Sequence, residues 1–349
     1  MRLMKFLNFF QLFKQELAID LGTANTLIMQ NGKIVVNEPS IVAIDRRTGE
    51  TIAVGKKALQ MHEKTHKNIE TIKPLKDGVI ADFHAAENMI KGMIDMINGG
   101  RHFFSHLKMV ICIPSGITEV EKRAVFDSAD RVDSKETYLI HEPMAAALGI
   151  GLDVEAPIGH LIVDIGGGTT EIAVIALAGI VCDQSLRTAG NELNNDIIEY
   201  MKREHNLLIG EKTAEAIKIN VGAAIKDLEN PPEPYPINGR DMVTGIPKQV
   251  CVRYEETVEA FENSIQKIEE AVHRTLEITP PELASDIYRT GIYLSGGGAL
   301  LRGLDKRLER KTQLKVHVPE KPLYAVVRGT GMALENTDRF SFLINHRNY

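Results

Sequence analysis

The 349-residue chain carries 41 Lys and Arg against 47 Asp and Glu, a formal net charge of −6, with 44% hydrophobic and 25% charged residues. That composition excludes a disordered chain and is long enough for two domains, each with its own core. Mild acidity excludes a broad nucleic-acid surface, three scattered cysteines without CxxC exclude a cysteine-built metal site and point to a reducing compartment, and no apolar run reaches the roughly 18–20 residues of a membrane span.

Phenylalanine is distributed unevenly. Six of the 11 Phe fall in two short segments, Phe6, Phe9, Phe10 and Phe13 at the start and Phe103 and Phe104 later. On a helical wheel Leu3, Phe6, Phe9, Phe10 and Phe13 share one face, Asn8, Gln11 and Gln15 lie opposite, and Lys5 and Lys14 flank the apolar side. The pattern predicts an amphipathic helix over residues 1–16. It lies either in a membrane interface or against its own domain. A signal peptide would have a continuous apolar centre and a small-residue cleavage site, and neither is present.

A short strand is expected at 17–20, followed by a hairpin of 26–30 and 33–36 around Asn31-Gly32, and a second pair at 41–44 and 51–54. Helical spacing of Ala86, Ile90, Met93, Ile94 and Ile97 predicts a helix over 85–97, its methionines filling core. A strand at 109–113, a helix at 118–130 and a strand at 137–140 follow, with a helix opening at Pro143. Residues 160–187 repeat the opening theme of three strands. Helices are expected over 190–205, 211–227 and 256–277, with a proline-rich loop at 230–236. The last elements are a strand at 291–295 and helices over 299–310 and 323–336. The alternation indicates an α/β fold with mixed sheets.

Two segments carry the chemistry. DLGTANT (20–26) and DIGGGTT (164–170) each end a strand in an acid, turn through glycine and hydroxyl residues and continue into another strand; the acids are 144 residues apart. Glycine lets backbone N–H groups face a ligand, so two such turns could clamp a polyphosphate, with Asp20 and Asp164 holding Mg²⁺ through water. A third turn, SGGGAL (295–300), suits a helix start near a phosphate or nucleoside. Each glycine cluster alone could be a plain tight turn. Neither G-x-x-x-x-G-K-[ST] nor G-x-G-x-x-G occurs, which excludes the P-loop and dinucleotide-binding fingerprints.

These residues resemble the ATPase core shared by actin, sugar kinases and heat-shock chaperones, and most closely the MreB family of bacterial actin homologues. The matching segments are LAIDLGTANTLI (17–28), NEPSIVAI (37–44), HEPMAAALG (141–149), VDIGGGTTEIAVI (163–175), TAEAIK (213–218), GRDMVTGIPK (239–248) and LSGGGALLRGL (294–304), spread over nearly the whole chain. The resemblance implies an actin-like ATPase fold of two duplicated domains around a nucleotide cleft: domain I over 17–145 with a smaller subdomain at about 37–72, domain II over 146–322 with one at about 188–247, and 323–349 returning to domain I.

It also implies roles. Gly22, Thr23, Ala24 and Asn25 match the first phosphate loop, and Gly166, Gly167, Gly168 and Thr169 the second. Gly296, Gly297, Gly298 and Ala299 match the adenosine-side loop, while Glu215 and Lys218 match the pair that holds the nucleoside. Glu142 and Thr169 match the residues that position the attacking water. Without the resemblance, Glu142 could equally complement a helix dipole and Glu215–Lys218 could be a surface ion pair. His141 stands where the family usually has an acid, and Asn191 and Asn194 replace acids after the second phosphate hairpin, which leaves contacts there open.

The implied function is cytoskeletal: an ATP- and Mg²⁺-dependent, slow ATPase whose homopolymer filaments lie on the inner face of the cytoplasmic membrane. Its partners would be copies of itself, membrane lipids and cell-wall elongation proteins, with no nucleic acid, and it would maintain rod shape through peptidoglycan synthesis. Phe103 and Phe104 would add a second apolar contact beside the N-terminal helix. The competing classes are a small-molecule kinase, which needs a further acid near the loops, and a chaperone-type ATPase, which needs a following peptide-binding domain.

Overall fold

The computed structural model describes residues 14–99 and 106–346, in two compact units. One comprises 1–153 with 324–349, the other 154–323. The predicted N-terminal helix, including Leu3, Phe6, Phe9, Phe10 and Phe13, and the Phe103–Phe104 pair lie outside the described residues.

In the first unit six strands run in the order β19-β10-β9-β1-β2-β3: Ile344–His346, Ser134–His141, His106–Ile113, Lys14–Leu21, Asn25–Gln30 and Lys33–Pro39. β1, β9 and β10 are parallel, and the others pair antiparallel. Leu17, Ile19 and Leu21 of β1 and Met109, Ile111 and Ile113 of β9 share one apolar face with Met89 and Met93 of the helix Phe83–Asn98. That helix starts two residues before the predicted 85 because Asp82 caps it, accepting from the Ala85 N–H at 2.9 Å. The alternate residues of β1 and β9, among them Ala18, Asp20, Val110 and Cys112, face the other way, toward the crossed helices Glu142–Ile150 and Ala325–Glu335.

β1 starts at Lys14, not at the predicted 17. Gln15, expected on the polar face of the N-terminal helix, is a strand residue only 1% exposed. The reason is pairing: Lys14 to Ile19 run in register with His106 to Ile111 of β9, which the local KQE pattern does not reveal. A satellite sheet, β5-β4-β6 (Thr51–Val54, Val42–Asp45, Ile69–Ile72), packs on the helix Lys56–Met61, and a hairpin joins β7 (Leu75–Lys76) to β8 (Val79–Ile80).

The second unit repeats the plan. Its main sheet has the order β13-β12-β11-β17-β18, that is Gly179–Leu186, Thr170–Ala176, His160–Ile165, Ile292–Ser295 and Val316–His317. β11, β17 and β18 are parallel, and β12 and β13 antiparallel. This matches β3-β2-β1-β9-β10 strand for strand, so the duplicated turns sit in duplicated sheets. The helices Gly190–His205 and Tyr254–Ile278 bury Leu193, Ile197, Phe261 and Ile265 against Val163, Ile172 and Val174. A small sheet, β14-β15-β16 (Leu207–Leu208, Tyr235–Asp241, Pro247–Val252), and the helices Glu211–Val221 and Pro281–Thr290 complete the unit.

Two helices differ from expectation. The one predicted over 211–227 ends at Val221, since Ala223 bridges to Arg302 and Ala224 donates to the Arg302 carbonyl at 2.8 Å. The one predicted over 299–310 divides into a single 3₁₀ turn, Gly297–Leu300, and the helix Leu304–Thr312, separated by Gly303 at φ +74°. Among the described residues no helix is long and apolar enough to cross a membrane.

Candidate functional site

In the first unit the turn after β1 is held from outside. Ser40, buried just beyond β3, donates its hydroxyl to the Gly22 carbonyl at 2.6 Å and its N–H to the Ala24 carbonyl at 2.9 Å; its Oγ also lies 2.8 Å from Thr26 Oγ1. The hairpin between β7 and β8 adds a second prop, Gly78 N–H donating to Thr23 Oγ1 at 3.0 Å. The Thr23 hydroxyl hydrogen is left to point elsewhere. Gly22 permits this tight path, because a Cβ there would stand 2.6 Å from the Asn25 carbonyl oxygen.

Asp20, at the end of β1, accepts from the Cys112 thiol at 3.3 Å. Desolvation pushes its pKa up to about 6, the thiol bond offsetting only part of the effect. Burial, with the nearby charges of Asp20 and Glu142, pushes the Cys112 thiol well above its usual range. Asp20, Cys112 and Glu142 thus share one environment. Glu142 opens its helix at the first turn, beside Pro143. His141 ends β10, its Nδ1 3.4 Å from the Pro114 carbonyl.

In the second unit Asp164 is buried near the end of β11 and accepts from Ser295 Oγ at 2.5 Å. Its cross-strand neighbours in register are Glu171 on β12 and Ser295 on β17. The glycine turn closes through Gly166 N–H to the Thr169 carbonyl, 2.9 Å. It is strapped to the helix start: Gly190 N–H donates to the Gly166 carbonyl at 3.1 Å and Asn191 N–H to the Gly167 carbonyl at 2.8 Å. Asn191 therefore acts through its backbone N–H, a contact that an acid at this position would make equally. Gly296, at φ +77°, packs on Ile165, where a Cβ would stand 2.3 Å from the carbonyl oxygen. Ser295 joins this third turn to Asp164 through one hydroxyl.

Glu215 and Lys218 share a face of the helix Glu211–Val221, Nζ donating to Glu215 Oε2 at 2.7 Å. They are more than a surface pair. Lys218 also donates to the Gly190 carbonyl at 2.8 Å, and Asn194 Nδ2 donates to the same Glu215 oxygen at 2.7 Å. Sequence reasoning missed Ser40, Gly78, Cys112 and the structural use of Asn194. Ser295 lay inside a highlighted turn without a role.

The MreB/Mbl protein family model matches residues 14–341. The chain belongs to the MreB/Mbl family. It is similar to the cell shape-determining protein Mbl of Bacillus subtilis, 46% identical over 329 residues, covering 94% of this chain and 98% of that one. To the cell shape-determining protein MreB of Escherichia coli it is 44% identical, covering 94% and 95%. Among solved structures, MreB5 of Spiroplasma citri bound to AMPPNP superposes with a TM-score of 0.88 at 38% identity, covering 93% and 97%. A MamK double helical filament at 23% identity and TM-score 0.76 shares the fold. The fold is actin-like α/β.

Proposed function

We propose that this MreB/Mbl family chain is an ATP-dependent, filament-forming cytoskeletal protein that maintains rod cell shape by organising peptidoglycan synthesis at the membrane. The observation that carries nucleotide binding is the duplicated glycine turn. Each copy follows a strand-end acid, and each is fixed by hydrogen bonds from a distant segment, Ser40 in one unit and the start of the helix Gly190–His205 in the other. Preorganised backbone donors of this kind suit phosphate oxygens. The relative from Spiroplasma citri binds AMPPNP, and another of its structures holds ADP.

In this reading Gly22 to Asn25 of the first unit and Gly166 to Thr169 of the second are phosphate-binding turns, and Gly296 to Ala299 with Glu215 and Lys218 of the second unit bind the nucleoside. The donor set fits Mg²⁺, a hard cation that takes oxygen ligands and keeps its waters. A desolvated Asp20 gains from a neighbouring cation, and Asp164 presents a second carboxylate. When bound, the ion supplies neutralisation of phosphate charge. Glu142 and Thr169 orient the attacking water, a task of positioning more than of strong base chemistry. Turnover is slow and serves as a timer on filament state.

Self-assembly follows the family, whose relatives include a double helical filament. Membrane attachment has an independent support in the register of the first sheet. Lys14 and His106 begin neighbouring parallel strands directly opposite each other. The described chain thus resumes after each Phe-rich segment at adjacent strand starts, which suits a common surface on the inner membrane face. Lipids and cell-wall elongation proteins are the remaining partners.

The deciding experiment is sedimentation and electron microscopy of the purified protein on anionic liposomes, with and without MgATP, beside a Glu142→Ala variant. Filaments that need ATP and persist in the variant are expected. Failure of both proteins to assemble would sink the filament reading. Turnover of a sugar or small acid without polymer would favour a kinase.

A further inference from the structure

In each unit the strand-end acid is held by a side chain on the next parallel strand, from the same place in the ladder. In the second unit Asp164 of β11 stands in register with Ser295 of β17, and Ser295 Oγ donates to Asp164 Oδ1 at 2.5 Å. In the first unit Ile19 of β1 pairs with Ile111 of β9, and Asp20 and Cys112 follow them by one residue each. There the Cys112 thiol donates to Asp20 Oδ1 at 3.3 Å. β9 and β17 occupy the same position in the two duplicated sheets. Both donors are buried, Cys112 at 3% exposed and Ser295 at 0%. A buried hydroxyl or thiol needs only some acceptor, and a nearby main-chain carbonyl would serve. Both copies reach the acid instead, across 92 and 131 residues of chain, one with sulfur and the other with oxygen.

We infer that Cys112 and Ser295 are matched positioning residues: each fixes the rotamer of the carboxylate beside it, so that Asp20 and Asp164 meet a hydrated divalent cation already oriented. This deepens the nucleotide-binding function proposed above and rests on it. The carboxylate of an aspartate turns easily about its second torsion, whose distribution is broad and two-fold. A Mg²⁺ ion that keeps its waters needs acceptor oxygens in set places. A donor on the neighbouring strand removes the torsional freedom before the cation arrives. The two donors are unequal. A hydroxyl donates strongly and a thiol weakly, so Ser295 contributes more than Cys112.

The test is calorimetric binding of ADP to the full-length protein at about pH 7.5, once with Mg²⁺ and once with EDTA. Wild type is compared with Cys112→Ala, Cys112→Ser, Ser295→Ala and Ser295→Thr. ADP avoids turnover, and thermal melting of the nucleotide-free proteins shows which variants fold. The quantity compared is the Mg²⁺ enhancement, the affinity with Mg²⁺ divided by the affinity in EDTA. Ser295→Ala should lower the enhancement about tenfold and Cys112→Ala about fivefold, while affinity in EDTA stays within about twofold of wild type. Cys112→Ser and Ser295→Thr keep a donor and should return the enhancement to within about twofold of wild type. A merely structural contact would lower both affinities together and leave the enhancement unchanged. That result in a folded alanine variant, or a folded donor-keeping variant no better than its alanine counterpart, overturns the inference. Each unit carries its own pair of variants, so the pair that folds decides. Wild type that binds ADP equally well in Mg²⁺ and in EDTA also overturns it and leaves nucleotide binding standing. Wild type that binds ADP in neither removes the nucleotide-binding function itself.

Discussion

Gly149 and Gly329 meet where two helices of the first unit touch backbone to backbone. A Cβ added at Gly149 would stand 1.8 Å from the Ala325 carbonyl oxygen, and one added at Gly329 would stand 1.7 Å from that of Ala145. No rotamer change relieves such a contact, because the obstructing atoms are main chain. The crossing fixes the helix Glu142–Ile150 and with it Glu142 at its first turn. Gly149→Ala or Gly329→Ala should each lower stability by about 3 kcal/mol, at the upper end of overpacking costs. Urea unfolding of the nucleotide-free protein measures it. Because both changes press on one contact, the double variant should lose less than the sum.

Ser40 offers a second test of preorganisation. Its hydroxyl bonds the Gly22 carbonyl and approaches Thr26 Oγ1 in a buried setting, so Ser40→Ala removes both contacts and creates no compensating one. Stability should fall by about 1–3 kcal/mol, the cost of leaving buried polar groups unpaired. MgATP affinity should fall with it. Thr48→Ala, on an exposed turn, is the control and should change neither.

The turns themselves were legible in the sequence because they are local: glycine, hydroxyl and acid occur within seven residues, and the repeat of the motif pointed to a repeat of the sheet. Their supports were not legible. Ser40 is 18 residues from Gly22, Gly78 is 55 from Thr23, and Cys112 is 92 from Asp20, so only the closed fold brings each pair together. The start of β1 was hidden for the same reason, since Gln15 is polar and its burial follows from pairing with β9. The short elements β6 to β8 and the helix Lys56–Met61 span too few residues to establish a period. Asn194 stood out only as a missing charge; its value as a donor became visible with Glu215 beside it.

Asp20 should make the nucleotide-free fold sensitive to pH. Its folded pKa, about 6, lies above the ordinary 3.8 because burial disfavours the charged form. Below 3.8 both folded and unfolded chains hold the proton, and no penalty arises. As pH rises, the unfolded chain releases its proton first. Stability from this group therefore declines between about pH 4 and pH 6 and stays reduced above that window. Asp20→Asn removes the penalty, so above pH 6 the variant should melt several degrees higher than wild type, up to about 3 kcal/mol before screening by water. Below pH 4 the two should converge. A variant less stable than wild type at pH 7.5 would contradict the assignment.

Arg307 holds the second unit through a cluster that includes a buried acid. Its Nε donates to Glu269 Oε1 at 2.7 Å, and its Nη1 and Nη2 donate to Glu262 at 2.9 and 2.8 Å. Glu269 is buried, so Arg307→Met leaves a carboxylate without its cation and should cost about 3–5 kcal/mol in urea unfolding. The double variant Arg307→Met, Glu269→Leu should recover much of that loss, because the orphaned charge is gone.

The proposed membrane attachment can be tested apart from the proposed nucleotide binding, but only with the right boundary. Gln15 is buried in β1 and Lys14 pairs with His106, so a truncation past residue 13 would damage the sheet. Deleting residues 1–13 and replacing Phe103 and Phe104 by Ser leaves every described strand of the first sheet at its full length. Binding to anionic liposomes, read by flotation, should then be abolished while MgATP affinity stays within about twofold of wild type. Either change alone should weaken flotation less, since two apolar contacts on one surface act with avidity, and polymerisation multiplies them. Retained flotation of the combined variant would remove the Phe-rich surface from the membrane; lost MgATP binding would return those side chains to the interior of the first unit.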